Sequence, residues 1–458
     1  MPYNLLWPNP CFKKNMKRFI FTLFLIPGLL LAQHSVKGIF TPAKSYNVIL
    51  LYKVTPTISE YVANAKIDEH GHFEIQLDST LEKGVYRMVY AVPQEDYNFD
   101  VIVNGKEDIE LSFNAETGVT YQNSFENKLL SSYTNSMSMV TQSIGNYFRE
   151  RSTDTTALNT IFETQRTTQE NYENAAKGTI ALEFIKANKP YTPSGYLDIR
   201  SYVKALKTHY FDYIDFNNPV LQSSSFLTEK MLNYVFGMSS RSKDKVATFK
   251  TNIDVVCNKM KGAPKEVQRV LLFDLWQQMV DLKMESVANY ISETYLMDVA
   301  VTLNDQDLLR TLILHRDLSN GTKAPDFSLD VIENGTTVTK KLSELDLPDH
   351  NIIVFWSTGC SHCLDEVPQL QKFINGIEAL EVKVIAIALE DEPTKWNELQ
   401  KTYPEFLHVY GEGKWDNDIV ESYGVKATPT YFILNKDKEI IGKPEDIEAL
   451  KAFFQQDN

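Results

Sequence analysis

The strongest constraint on this chain is a short stretch near its C-terminus, Trp356-Ser-Thr-Gly-Cys360-Ser-His-Cys363. A continuous apolar run from Ile352 to Trp356 leads into it and reads as a buried strand of a mostly parallel sheet. Behind it, Val367, Leu370, Ile374 and Ile377 recur at steps of three and four, the buried face of a helix. Cys360 therefore falls where a strand turns into a helix N-terminus. Unpaired amides and the helix dipole favour an anion there and lower a thiol's pKa. Cys363 lies one turn along, close enough to close a disulfide. An attacking thiolate with a built-in resolving thiol is the equipment of thiol–disulfide exchange.

Zinc sites use the same Cys-x-x-Cys spacing, but they need a second ligand pair. Cys257 stands alone, and His315, His350 and His408 are scattered singly, so neither a metal nor a cofactor is expected. A second signal comes from Gly424-Val-Lys-Ala-Thr428-Pro429-Thr430-Tyr-Phe-Ile-Leu434, where a proline directly precedes a β-rich apolar strand. Alone it reads as an ordinary turn proline. Its position after the Cys-x-x-Cys favours the redox reading.

From about Thr322 to its end, the chain resembles the thioredoxin-fold domains of the TlpA-like or ResA-like extracytoplasmic class. The matching residues are Ala324-Pro-Asp-Phe327, the strand–Trp356–Cys360-x-x-Cys363 unit, Glu366 and Pro368 after the second cysteine, and the Thr428-Pro429-Thr430 turn. The resemblance covers the last third of the chain. It implies a cis Thr428–Pro429 bond beside the cysteines that offers backbone to a substrate chain, with Cys360 attacking and Cys363 resolving. Cytosolic thioredoxins carry a buried aspartate six residues before the first cysteine, where this chain has Val354. The resemblance makes Glu366 the substitute proton carrier; a solvated helix charge is the alternative. Gly359 replaces a common aromatic residue, and Ser361-His362 replaces the Gly-Pro of thioredoxin. A protonated His362 would stabilise the thiolate and raise the potential, so Ser361, His362 and Trp356 are read as tuning residues. Ala-Pro-Asp-Phe starts also occur in peroxiredoxins, but Ile353 stands where their peroxide loop needs proline.

Lys17-Arg18, an apolar core, Pro27-Gly28 and Ala32 read as a secretory signal peptide over 1–32, with Met16 as an alternative start. The apolar core is too short for a comfortable membrane span; an uncleaved signal anchor is the alternative. Export to the periplasm would favour disulfides. The expected partners are protein thiols and disulfides of the cell envelope and a membrane or periplasmic redox partner. A formal net charge of −14 disfavours nucleic acid. Nothing in the sequence specifies an oligomeric state. A non-enzymatic envelope protein with a vestigial redox domain is the competing class, against which the intact Cys360, Cys363 and Pro429 count.

The chain is long enough for two or three domains. Residues 33–114 show short alternating runs at 36–40, 48–53, 72–77, 86–90, 99–103 and 109–113, an all-β sandwich-like module. Asn104-Gly105 reads as a hairpin loop between the last two. His70 and His72 are read as turn and strand-edge residues. Residues 115–320 change to a helical period, with helices expected at 124–149, 156–186, 196–214, 225–236, 243–260, 264–295 and 306–316. No fixed repeat appears, and Cys257 reads as a buried apolar thiol. Residues 321–458 form the α/β thioredoxin-like domain, opening with a linker at 321–325 and a hairpin around Asn334-Gly335.

Overall fold

The computed structural model describes residues 34–456 except 55–58, 95, 240–242, 378–379 and 391. The signal-peptide reading lies outside the described residues. Eight strands come first: β1 Ser35–Thr41, β2 Val48–Val54, β3 Ser59–Lys66, β4 His72–Gln76, β5 Gly84–Val89, β6 Asn98–Val103, β7 Ile109–Asn114 and β8 Gly118–Asn123. They form two sheets, in the orders β4-β1-β7-β8 and β3-β2-β5-β6. Alternating burial in β4 and β7 gives the first sheet one apolar face, and β2 buries Ile49 and Leu51 on one face of the second. The two faces share a core containing Phe40, Ile49, Leu51, Met88, Val101 and Leu111, the sandwich that period-two patterning implies.

Three local expectations change. The Asn104-Gly105 turn does not close a hairpin, because β6 pairs with β5 while β7 pairs with β1 and β8; the turn carries the chain between sheets. Strands β3 and β8 were not expected. Both are edge strands with few buried residues, so the alternation that reveals a half-buried strand is weak in them. β8 also carries the first sheet past residue 114.

The helices are α1 Phe125–Arg149, α2 Thr155–Ala175, α3 Ala181–Ala187, α4 Ile199–Thr208, α5 Pro219–Gln222, α6 Phe226–Val235, α7 Lys245–Met260, α8 Lys265–Asp281, α9 Glu285–Ile291, α10 Met297–Thr302 and α11 Gln306–Asp317. Asp154, Asp198, Asn218, Asp244 and Asp305 cap helix starts by accepting first-turn amides. The helix expected over 156–186 breaks at Gly178, and the one over 264–295 breaks at Lys283, both at positive φ. Apolar spacing continues across such breaks when both pieces face one core. That over-extends a reading from periodicity.

The remainder comprises β9 Ser328–Glu333, β10 Thr336–Lys341, β11 His350–Trp356, α12 Ser361–Gly376, β12 Val382–Glu390, α13 Pro393–Leu399, β13 Leu407–Glu412, α14 Asp418–Ser422, β14 Thr430–Leu434, β15 Ile440–Gly442 and α15 Ile447–Gln456. β9 and β10 close the expected hairpin, with Asn334 and Gly335 both at positive φ. The main sheet runs β13-β12-β11-β14-β15; β11, β12 and β13 are parallel, and β14 and β15 antiparallel. One face packs on α12 and α15. The other packs on the β9 hairpin, α14 and Leu318 just beyond α11.

The 321–325 segment is fixed to the sheet rather than loose. Gly321 N donates to Ile440 O at 2.7 Å, Ile440 N to Thr322 O at 2.8 Å, and Ala324 N to Lys438 O at 2.8 Å. Lys443 adds a charge-assisted bond to Glu285 of α9 and a second bond to the Leu318 carbonyl. Among the described residues no helix is long and apolar enough to cross a membrane.

Candidate active site

β11 is buried from Asn351 through Trp356 because helices and hairpin cover both its faces. Its chain emerges through Ser357-Thr358-Gly359 at the C-terminal edge of the parallel strands. Cys360 then serves as N-cap of α12, its sulfur accepting the Cys363 N–H at 3.4 Å. From the other side, the Cys360 thiol donates to the carbonyl of Thr428 at 3.2 Å. The Thr428–Pro429 peptide is cis, and β14 starts immediately after it. Cys360 and Cys363 are both free thiols.

Burial alone would push the Cys360 thiol up. Hydrogen bonding from Cys363, from the Thr428 side chain and from the His362 main-chain N–H outweighs it, so its pKa lies below the ordinary thiol range. Cys363 is fully buried. Burial, and then its hydrogen bond with Cys360, push it up to about 12. Two thiols one turn apart are thus held in opposite protonation regimes. His362 and Ser361 are exposed, and the part of His362 that lowers the Cys360 pKa is its amide.

Trp356 lies beneath the site, 1% exposed and edge-on to Tyr403. Glu366 Oε2 accepts the Tyr431 hydroxyl at 3.0 Å and the Ile447 N–H at 3.0 Å, so it is a seam between α12, β14 and α15 and not a freely solvated helix charge. The structure thus brings Cys360, Cys363, Trp356, Glu366, Thr428 and Pro429 to one edge of the sheet. Cys257 belongs to the separate core of the helical region, and burial followed by Asp254 pushes its thiol up to about 12. Among the described residues no group of three or more His, Cys, Asp or Glu is arranged to hold a metal.

Two residues escaped the sequence reading. Glu390, at the end of β12, is buried and its carboxylate accepts the Thr358 N–H, bracing the loop before Cys360. Tyr431 supplies the phenol that holds Glu366. Each contact joins a strand to a segment distant in sequence, the loop before Cys360 in one case and α12 in the other; the available signal was a carboxylate and a tyrosine at the ends of apolar strands.

A cysteine at a helix N-cap, a buried second thiol and an adjacent Thr–Pro turn on a five-stranded sheet make the C-terminal domain a ResA/TlpA-like thioredoxin fold. The chain is multidomain: a β-rich module and a helical region precede that domain. Residues 319–448 match the Redoxin family model. The chain is 26% identical over 123 residues to thiol-disulfide oxidoreductase ResA of Bacillus thuringiensis subsp. konkukian (strain 97-27), covering 26% of this chain and 66% of that protein. It is 30% identical over 118 residues to sporulation thiol-disulfide oxidoreductase A of Bacillus subtilis (strain 168), covering 23% of this chain and 66% of that protein. A crystal structure of a thioredoxin-like protein from Bacteroides caccae ATCC 43185 aligns over 59% of this chain and 98% of its own, at 17% identity and a TM-score of 0.32. The matched stretch thus spans just under two thirds of the length of these two relatives.

Proposed function

We propose that this protein is an exported thiol–disulfide oxidoreductase that exchanges disulfides with protein substrates in the cell envelope. The observation that carries the reading is the split between the thiols: Cys360 partly exposed and lowered in pKa, Cys363 buried and raised. In the reducing direction the Cys360 thiolate attacks a substrate disulfide, and one substrate sulfur leaves and takes a proton. Cys363 then gives up its proton and attacks Cys360 Sγ. The intramolecular disulfide forms as the mixed disulfide breaks, and two electrons have passed to the substrate. Thr428 and Pro429 present backbone to the bound segment, and Glu366 takes up the Cys363 proton. A lowered Cys360 pKa stabilises the reduced form and biases the couple towards oxidation of partners.

Cys363→Ser removes the resolving thiol, so Cys360 should remain joined to its partners. Protein purified without reductant should release envelope cysteine proteins on treatment with dithiothreitol, and a Cys360→Ser control should release none. Equal recovery from both variants would sink the protein-substrate reading. N-terminal sequencing of the mature protein should begin near Gln33; material retaining Met1 or Met16 on membranes would overturn the cleaved-export part.

A further inference from the structure

Thiol–disulfide exchange of the kind just proposed, on which this inference rests, requires Cys363 to lose a proton inside an apolar core. The aspartate that serves this purpose in cytosolic thioredoxins is replaced by Val354, so the base must come from elsewhere. In the sheet Val354 is the register partner of Tyr431. Both side chains lie in the core that contains Cys363. Tyr431 is 1% exposed, and its hydroxyl donates to Glu366 Oε2 at 3.0 Å while the Ile447 N–H approaches the same oxygen at 3.0 Å. Glu366 follows Cys363 by three residues on α12, so the two share one side of that helix. The phenol thus ties the carboxylate into the layer where the resolving thiol is buried.

We propose that Tyr431 is the positioning residue that makes Glu366 the base for Cys363. When the mixed disulfide forms on Cys360, the Cys363 S–H proton passes to the Glu366 carboxylate. The Cys363 thiolate attacks Cys360 Sγ, the Cys360–Cys363 bond forms, the bond to the substrate sulfur breaks, and that sulfur leaves as a thiolate protonated by water. Burial, and then the Glu366 charge, raise the Tyr431 phenol well above its ordinary pKa, so it keeps its proton and acts as a donor. Glu366 and Cys363 on α12 and Asp446 before α15 act on the Tyr431 phenol, and Cys360, the N-cap of α12, acts on Cys363. Lys451, farther along α15, engages Gln369 and Glu448.

The test follows the reduced protein reacting with 5,5′-dithiobis(2-nitrobenzoate) by stopped flow. The first nitrothiobenzoate is released as Cys360 attacks the reagent and the second as Cys363 resolves the adduct, so the two steps are read separately without a natural substrate. Tyr431→Phe keeps the ring and removes the donor. It should leave the first phase unchanged and slow the second about tenfold near pH 6, the scale of one lost charge-assisted hydrogen bond. The second phase is followed from about pH 5 to 9, and the difference from the parent should depend on pH, which a merely structural loss would not produce. Glu366→Gln should slow the second phase at least as much, and the double variant should be no slower than Glu366→Gln alone.

A second phase in Tyr431→Phe that superimposes on the parent from about pH 5 to 9 would overturn the proposal. So would equal slowing by Tyr431→Phe with and without Glu366. Should Tyr431→Phe fail to fold, Glu366→Gln still decides, because an unaltered second phase there leaves Tyr431 nothing to position. A protein that passes these tests yet fails to reduce insulin would keep the Tyr431 assignment and lose the protein-substrate reading.

Discussion

At the scale of single residues, the three thiols among the described residues take their chemistry from their surroundings. Cys360 caps a helix and is lowered; Cys363 and Cys257 are buried and each pushed up to about 12. At neutral pH iodoacetamide should therefore modify Cys360 first, with Cys363 and Cys257 protected until the protein is denatured; equal rates for Cys360 and Cys363 would contradict the assignment of nucleophile. The raised thiols also set a pH dependence. An unfolded thiol ionises near about 8.5, whereas the folded groups hold their protons to about 12. Their contribution to stability is complete below the unfolded value and is lost as pH rises towards the folded one. The melting temperature of the dithiol protein should fall between about pH 9 and 12, less steeply in Cys257→Ala, as calorimetry would show. The cysteine pair was legible in the sequence because a helix N-cap is a local object. Glu390 and Tyr431 were not, since their partners Thr358 and Glu366 lie 32 and 65 residues away.

Elements show the same division between local and distant information. The apolar run of β11 and the periodic faces of α1 and α12 are strong signals because many buried residues agree. Edge strands lack that agreement, and here one edge is closed by a side chain. β6 is an edge of its sheet, and the Asn127 amide of α1 pairs with it as a further strand would. Ile102 N donates to Asn127 Oδ1 at 2.9 Å, and Asn127 Nδ2 donates to Ile102 O at 2.8 Å. Asn127 is 4% exposed, so water has little access to replace it. Asn127→Leu fills similar space but leaves a buried N–H and C=O unpaired, which should cost about 2–4 kcal/mol. A urea melt would measure it, and a loss below about 0.5 kcal/mol would mean that the edge finds another partner. From sequence alone Asn127 is one more polar residue near a helix start.

The whole molecule is more continuous than its change of sequence pattern suggests. A shift from helical to strand periodicity near residue 321 invites a domain boundary and a linker there, yet the physical join lies earlier. Leu318 is 8% exposed within the core that also contains Phe327, Tyr423 and Val425, and Leu314 of α11 packs against that core. Gly424 is where the two parts come closest: it adopts φ +59°, and a Cβ there would meet Leu314 Cδ2 at 2.7 Å, so glycine answers both backbone and space. This contact bears on the segment leading to Thr428 and Pro429, which makes α11 a buttress of the candidate substrate turn. A fragment beginning at residue 321 should therefore be less stable than one beginning at 306, by about 2–4 kcal/mol for a lost buried leucine and part of a second. Iodoacetamide should also react with Cys360 at a different rate in the shorter fragment, because the Thr428 carbonyl that accepts its thiol at 3.2 Å loses its support. Thermal melts and alkylation rates of the two fragments test both expectations. Coincident melts would show that Leu314 and Leu318 cover the domain without stabilising it, and an unchanged Cys360 rate would confine the role of α11 to packing.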